Sequence, residues 1–118
     1  MDLTKKLQLA PETSVYVINA PKGLRLGLKI VKKLELGAAV LLFANDAKTL
    51  SELSESAISL AKADQLSWIA YPKAGKLGTD LNRDKLFEHL KPKGIEGVRM
   101  ISINDTWSAM RFRPAHGR

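Results

Sequence analysis

Ala38-Ala-Val-Leu-Leu-Phe-Ala44 decides the fold. Seven apolar residues follow Gly37 and precede Asn45-Asp46. The run has strand length and no polar side, so it reads as a central strand covered on both faces. Immediately after it the period changes. From Ala47 to Ala63, Leu50, Leu53, Ala57, Leu60 and Ala61 recur every three or four residues, while Lys48, Glu52, Glu55 and Ser56 take the other side. That spacing predicts one amphipathic helix, with Asn45 or Asp46 as its cap.

Other elements fall into place around this pair. Upstream, Leu3 to Leu9 predicts a short helix or arm that ends before Pro11, because the residue preceding a proline is pushed out of helical geometry. Ser14-Val-Tyr-Val-Ile-Asn19 predicts a buried first strand, broken by Ala20-Pro-Lys-Gly23. Leu24 to Leu36 fits both a helical and an alternating period; a helical turn followed by a strand near 28–34 is the expectation.

Downstream, Leu66-Ser-Trp-Ile-Ala-Tyr71 predicts a strand that Pro72 stops by removing a ladder donor. A loop from Lys73 to Asp80 leads to a helix from about Arg83 to Lys91, capped by Asn82 and ended by Pro92 and Gly94. Val98 to Ile103 and Trp107 to Arg113 then predict two strands joined by a turn at Asn104-Asp105-Thr106. The tail from Pro114 to Arg118 is expected to be disordered.

Strands alternating with helices and closing on a hairpin predict an α/β fold. Its form is a compact Rossmann-like three-layer domain, mostly parallel, with a C-terminal antiparallel hairpin and an antiparallel strand at one edge. At 118 residues the chain is expected to be a single domain, burying roughly two-thirds of its unfolded surface.

Composition bounds the chemistry. The chain has no cysteine, which excludes disulfides, thiolate zinc sites and thiol nucleophiles and fits a cytoplasmic location. No signal-peptide core opens the sequence and no apolar run reaches membrane-spanning length, so no membrane is expected as a partner. The net charge is +7. Seven Lys/Arg against two acids in residues 1–33, two against five in 34–70 and ten against five in 71–118 make both ends basic and the middle acidic. If both ends lie on one side of the sheet, they form a positive face suited to nucleic acid or phosphate; the alternative is a solvated surface that keeps the protein dispersed.

Catalytic signatures are incomplete. Gly23 and Gly27 do not reproduce G-x-G-x-x-G, no Walker lysine follows a glycine loop, and no G-x-S-x-G elbow occurs. His89 reads as a solvated helix residue and His116 belongs to the tail. Asp80 and Asp84 lack a third ligand and read as the acidic start of a helix. Two groupings carry more chemistry. Tyr71-Pro-Lys73 could aim an ammonium over the end of its strand. On the last strand, parity places Trp107, Ala109, Arg111 and Arg113 on one face and Ser108, Met110 and Phe112 on the other. Trp107 with Arg111 is then either an aromatic platform beside a cation or a packed pair.

Trp68-Ile-Ala-Tyr-Pro-Lys73, Thr79-Asp-Leu81 and Asp105-Thr-Trp-Ser-Ala-Met-Arg111, with the leader Leu3-Thr-Lys-Lys-Leu-Gln-Leu9 and the strand Val15-Tyr-Val-Ile-Asn-Ala-Pro21, resemble a family of small bacterial proteins catalogued as a domain of unknown function, number 3052. The resemblance covers nearly the whole chain. It implies a Rossmann-like domain and supplies no reaction. Lys22 to Leu36 is shorter and more basic here than in the family's pattern, so contacts made there do not carry over.

Together these readings predict a non-catalytic binding or regulatory module for an anionic ligand such as nucleic acid, a nucleotide or another phosphate-bearing molecule. Its candidate site is Lys73, Thr79, Asp80, Trp107, Ser108 and Arg111, without metal or cofactor. One alternative is a reduced methyltransferase-like enzyme, by analogy of element order alone. The other is a protein–protein interaction domain that uses the exposed hairpin edge.

Overall fold

The computed structural model describes residues 3–10, 12–73 and 76–115. The apolar run forms β3 (Ala39–Phe43), in which every residue is buried. Strand alternation sends Val40, Leu42 and Ala44 into one apolar cluster and Ala39, Leu41 and Phe43 into a second. β1 (Ser14–Ile18) and β4 (Ser67–Pro72) flank β3 in parallel, and β2 (Lys29–Val31) pairs in parallel with the far side of β1. β6 (Trp107–Pro114) runs antiparallel beside β4, and β5 (Ile95–Ser102) pairs antiparallel with β6. The strand order is β2-β1-β3-β4-β6-β5, a six-stranded mixed and mostly parallel sheet ending in an antiparallel hairpin.

The antiparallel strand is therefore interior, not at the edge as its place in the chain predicts. The side chains explain the exchange. β6 buries Trp107 and Ala109 on one face and Met110 and Phe112 on the other, the pattern of a strand within the covered part of the sheet. β5 leaves Val98, Arg99 and Met100 exposed and carries an irregularity between Gly97 and Arg99. Charge and a bulge suit an edge, because they hinder pairing with another chain.

One face of the sheet is covered by α2 (Ala47–Leu53), α3 (Glu55–Lys62) and α4 (Arg83–Leu90), whose Leu50, Ala57, Leu60, Ala61, Leu86 and Leu90 join Val40 and Leu42. The caps are Asp46, which accepts from Thr49 N at 2.8 Å, and Asn82, which accepts from Lys85 N at 2.9 Å. The single helix expected over 47–63 is two. Ser54, buried with φ −85° and ψ −1°, interrupts the regular helical turn between them and leaves Leu53 exposed. Ser67 Oγ donates to the Ala57 carbonyl at 2.8 Å and ties α3 to β4.

The opposite face is covered differently. α1 (Leu3–Lys6) is a single turn; it brings Leu7 and Leu9 over Trp68, whose indole N–H donates to the Leu7 carbonyl at 3.0 Å. The helical turn expected near Leu24 is absent. Leu26 is buried, and Leu24 and Leu28 half-buried, in the same cluster, so an irregular segment with leucine at alternate positions does the covering. The disorder expected from Pro114 to Arg118 is corrected at its first two residues: Pro114 completes β6, and Ala115 N donates to the Gly94 carbonyl at 3.0 Å. The rest of that stretch, His116 included, lies outside the described residues. No helix among the described residues is long and apolar enough to cross a membrane.

Gly97 marks the closest approach of α4 to the hairpin. A Cβ there would run into the Phe87 ring and lie 2.9 Å from Met110 Cγ and Sδ. Gly97→Ala should therefore cost about 1–3 kcal/mol through overpacking, read as a lower urea midpoint with an unchanged slope.

Candidate functional site

The six predicted site residues occupy three places. Thr79 and Asp80 lie beside the start of α2. Thr79 Oγ1 accepts from Leu81 N at 3.0 Å, and Asp80 Oδ1 accepts from Ala47 N at 2.9 Å. With Asp46 on Thr49 N, two carboxylates thus bind the free N–H groups of α2, and the Thr49 N–H holds the Asp46 carboxyl below its ordinary range. Asp80 ties its loop to a helix start. Asp84 lies 3.9 Å from the Arg83 guanidinium, and no group of three His or acidic residues that could hold a metal occurs among the described residues.

Lys73 and Ser108 lie at the mouth of the hairpin. The Lys73 ammonium donates to Ser102 Oγ at 2.7 Å, and its backbone N donates to the Thr106 carbonyl at 2.7 Å. Ser108 stands opposite Tyr71 on one side and Ser102 on the other. Asn104 shapes the turn, its Oδ1 accepting from Thr106 N and Trp107 N at 2.8 and 2.9 Å. Next along β4, the Tyr71 hydroxyl donates to Met100 Sδ at 2.9 Å. Burial pushes its pKa up, against a smaller opposing effect of Arg83.

Trp107 and Arg111 share the other face, as parity requires. Trp107 is 4% exposed and meets Phe43 edge to face, with ring centroids 5.0 Å apart and planes at 82°. Its ring is packed in the cluster with Phe43 and offers no open surface to a planar ligand; its partner is Phe43, while Arg111, four residues along the strand, reaches Gln8 instead. Arg111 is half-buried. Its Nη1 donates to Gln8 Oε1 at 2.7 Å, while its Nε is buried with no hydrogen-bond partner.

Sequence reasoning passed over the residue that matters most beside Arg111. The hairpin register places Arg99 of β5 directly opposite it, so two guanidinium-bearing side chains stand side by side on one face. Counting back from the Asn104 turn, which pairs Ser102 with Ser108, finds this pair. Gln8 and Lys6 could not be found that way, because their positions depend on the docking of α1. Lys6 Nζ donates to the Ser102 carbonyl at 3.0 Å and so brings a basic N-terminal residue onto the hairpin. The basic N-terminal turn and the basic last strand do meet. Neighbouring Arg113 is neutralised, donating to both Asp64 oxygens at 2.8 and 3.0 Å. No family model, curated protein or solved structure matches the chain.

The Arg113 hydrogen bonds hold the Asp64 carboxyl below its ordinary range. Because the folded value is depressed, the contribution of this pair is present above the unfolded pKa and is lost as pH falls through the folded one. A carboxyl-detected NMR titration should place Asp64 below a free aspartate, and Arg113→Gln should return it to the ordinary range.

Proposed function

We propose that this protein is a non-catalytic binding module for a phosphate-bearing ligand, with Arg99 and Arg111 as the clamp. The carrying observation is their placement directly opposite one another, with the Arg111 Nε buried and unpartnered. Like charges facing each other across two strands are destabilising, and a buried donor without an acceptor costs about 1–3 kcal/mol. A phosphate between the two guanidinium groups would relieve both, since the planar fork of arginine matches phosphate oxygens. Gln8 holds Arg111 from one side, and Lys6 adds charge at the hairpin mouth. Lys73 and Ser108 form a secondary polar group there on the other face, and Thr79, Asp80 and Trp107 serve the fold around it.

We further propose that the architecture is a compact Rossmann-like three-layer domain, in a cytoplasmic relative of the small bacterial family that the sequence resembles. An enzyme of the methyltransferase kind is the weaker reading. Its ligand would sit where the strand order reverses, between β1 and β3. There the Asn19 side chain donates to the Phe43 carbonyl at 2.9 Å and bridges the two strand ends, and no helix lies between β1 and β2 to present its N-terminus.

Binding of inorganic phosphate, a mononucleotide, a short DNA duplex and single-stranded RNA, followed by amide NMR at two salt concentrations, tests the clamp. Saturable shifts are expected at Arg99, Arg111 and Gln8. Arg99→Ala with Arg111→Ala should weaken the best ligand by about tenfold or more, as expected for loss of charge-assisted hydrogen bonds. A loss of less than about twofold for every ligand would refute the assignment, because one charge-assisted bond alone exceeds it.

A further inference from the structure

The edge of the sheet far from the hairpin carries a second basic surface, and it has a different character. Lys22, Arg25, Lys29, Lys32 and Lys33 are all exposed, and none makes an ion pair or a side-chain hydrogen bond with any described residue. Glu35 is the one acid between Lys22 and Leu36. Among these cations stand three aliphatic side chains that the fold leaves uncovered. Ile30 is 51% exposed, Leu34 41% and Leu36 103%. Ile30 lies on β2, whose outer edge pairs with no strand, and Leu34 and Leu36 lie on the segment that leads back to β3.

A single exposed leucine is ordinary. Ile30 pairs with Val15 and so faces the side of the sheet covered by Leu7 and Leu26, whereas Leu34 and Leu36 lie beside Leu60 and Gln65. Leu34 and Leu36, with the unpaired Lys32 and Lys33 just before them in the chain, give this edge two chemistries. The expectation of no membrane partner rests on the lack of a spanning segment, which bears on crossing a bilayer and not on lying against one. We infer that this strip is a docking surface for an anionic membrane, with the cations on the lipid headgroups and Leu34 and Leu36 entering the boundary with the acyl chains. Basic side chains are attracted to an anionic leaflet, and buried aliphatic area adds to the attraction without needing a defined pocket.

Nucleic acid would use the charge and leave the aliphatics unexplained. Its bases stack on aromatic faces, and all seven Phe, Trp and Tyr residues of this chain are buried or half-buried. A protein partner would need acids and an apolar patch placed to match this irregular segment, whereas an anionic lipid surface meets both chemistries without a defined complementary shape. The strip shares no residue with the Arg99–Arg111 clamp, so the two assignments fail separately.

The test is co-sedimentation of the full chain with vesicles of phosphatidylcholine alone and of phosphatidylcholine mixed with phosphatidylserine, at low and physiological salt. Three variants are compared: Leu34→Ser with Leu36→Ser, Lys32→Gln with Lys33→Gln, and Leu77→Ser as an exposed leucine outside the strip. Circular dichroism confirms that each is folded. Wild-type protein should pellet with the serine-lipid vesicles and stay in solution with phosphatidylcholine alone. The paired leucine variant, which keeps every charge, should partition about fivefold less or weaker still. The paired lysine variant should lose binding most at physiological salt, and Leu77→Ser should behave as wild type.

Failure of wild-type protein to pellet with anionic vesicles would overturn the proposal. So would a leucine variant that binds them as well as wild type, or displacement of the protein from vesicles by RNA at matched phosphate concentration.

Discussion

The structure depends on the burial of β3 on both faces. A strand made of Ala39-Val-Leu-Leu-Phe43 has no side to give to water, so the chain must supply two covers. Helices α2, α3 and α4 all pack on the Val40 and Leu42 side. The other cover is therefore left to a single helical turn and an irregular segment, which pack Leu7, Leu9 and Leu26 against Leu41 and Phe43. Its N-terminal part is also fastened to the sheet by side-chain hydrogen bonds. Trp68 reaches the Leu7 carbonyl and Arg111 reaches Gln8. Each bond contributes on the order of 1 kcal/mol, enough to matter for an element that cannot stand alone.

That economy has a consequence for charge. The acids are partly committed to structure: from the middle of the chain Asp46 caps α2 and Asp64 holds Arg113, and from the last third Asp80 also binds the start of α2. The cations at the two ends have few counterions left. Docking of α1 across the hairpin brings part of the basic N-terminus beside Arg99 and Arg111, while the segment before β3 keeps its own cations at the opposite edge of the sheet. The positive charge is thus divided between two surfaces of unlike character. One holds guanidinium groups ordered by strand register, and the other mixes lysines with uncovered aliphatics.

Hairpin order makes the first surface possible. β6 lies between β4 and β5; Arg111 there stands between two strands, and Trp107 reaches Phe43. With β6 inside, the aromatic end of the strand anchors the core and its basic end emerges half-buried beside Arg99. Arg111 is then half-buried, with its Nε enclosed and without a partner.

Sequence alone determined the parts whose physics is local. The unbroken apolar run placed β3, period and capping chemistry placed the helix starts at Asn45 or Asp46 and at Asn82, and Asn104-Asp105-Thr106 marked the hairpin turn. Parity separated Trp107 and Arg111 from Ser108 correctly, because alternation along a strand needs no knowledge of what lies on either side. Tertiary structure decided everything that turned on competition for burial. It set β6 inside β5, broke the long helix at Ser54, and used Leu24, Leu26 and Leu28 as an irregular cover. It also hid the Trp107 ring and scattered the six candidate residues over three places. Periodicity reports which side of an element is apolar and not which other element will cover it; that choice is made among residues far apart in the chain.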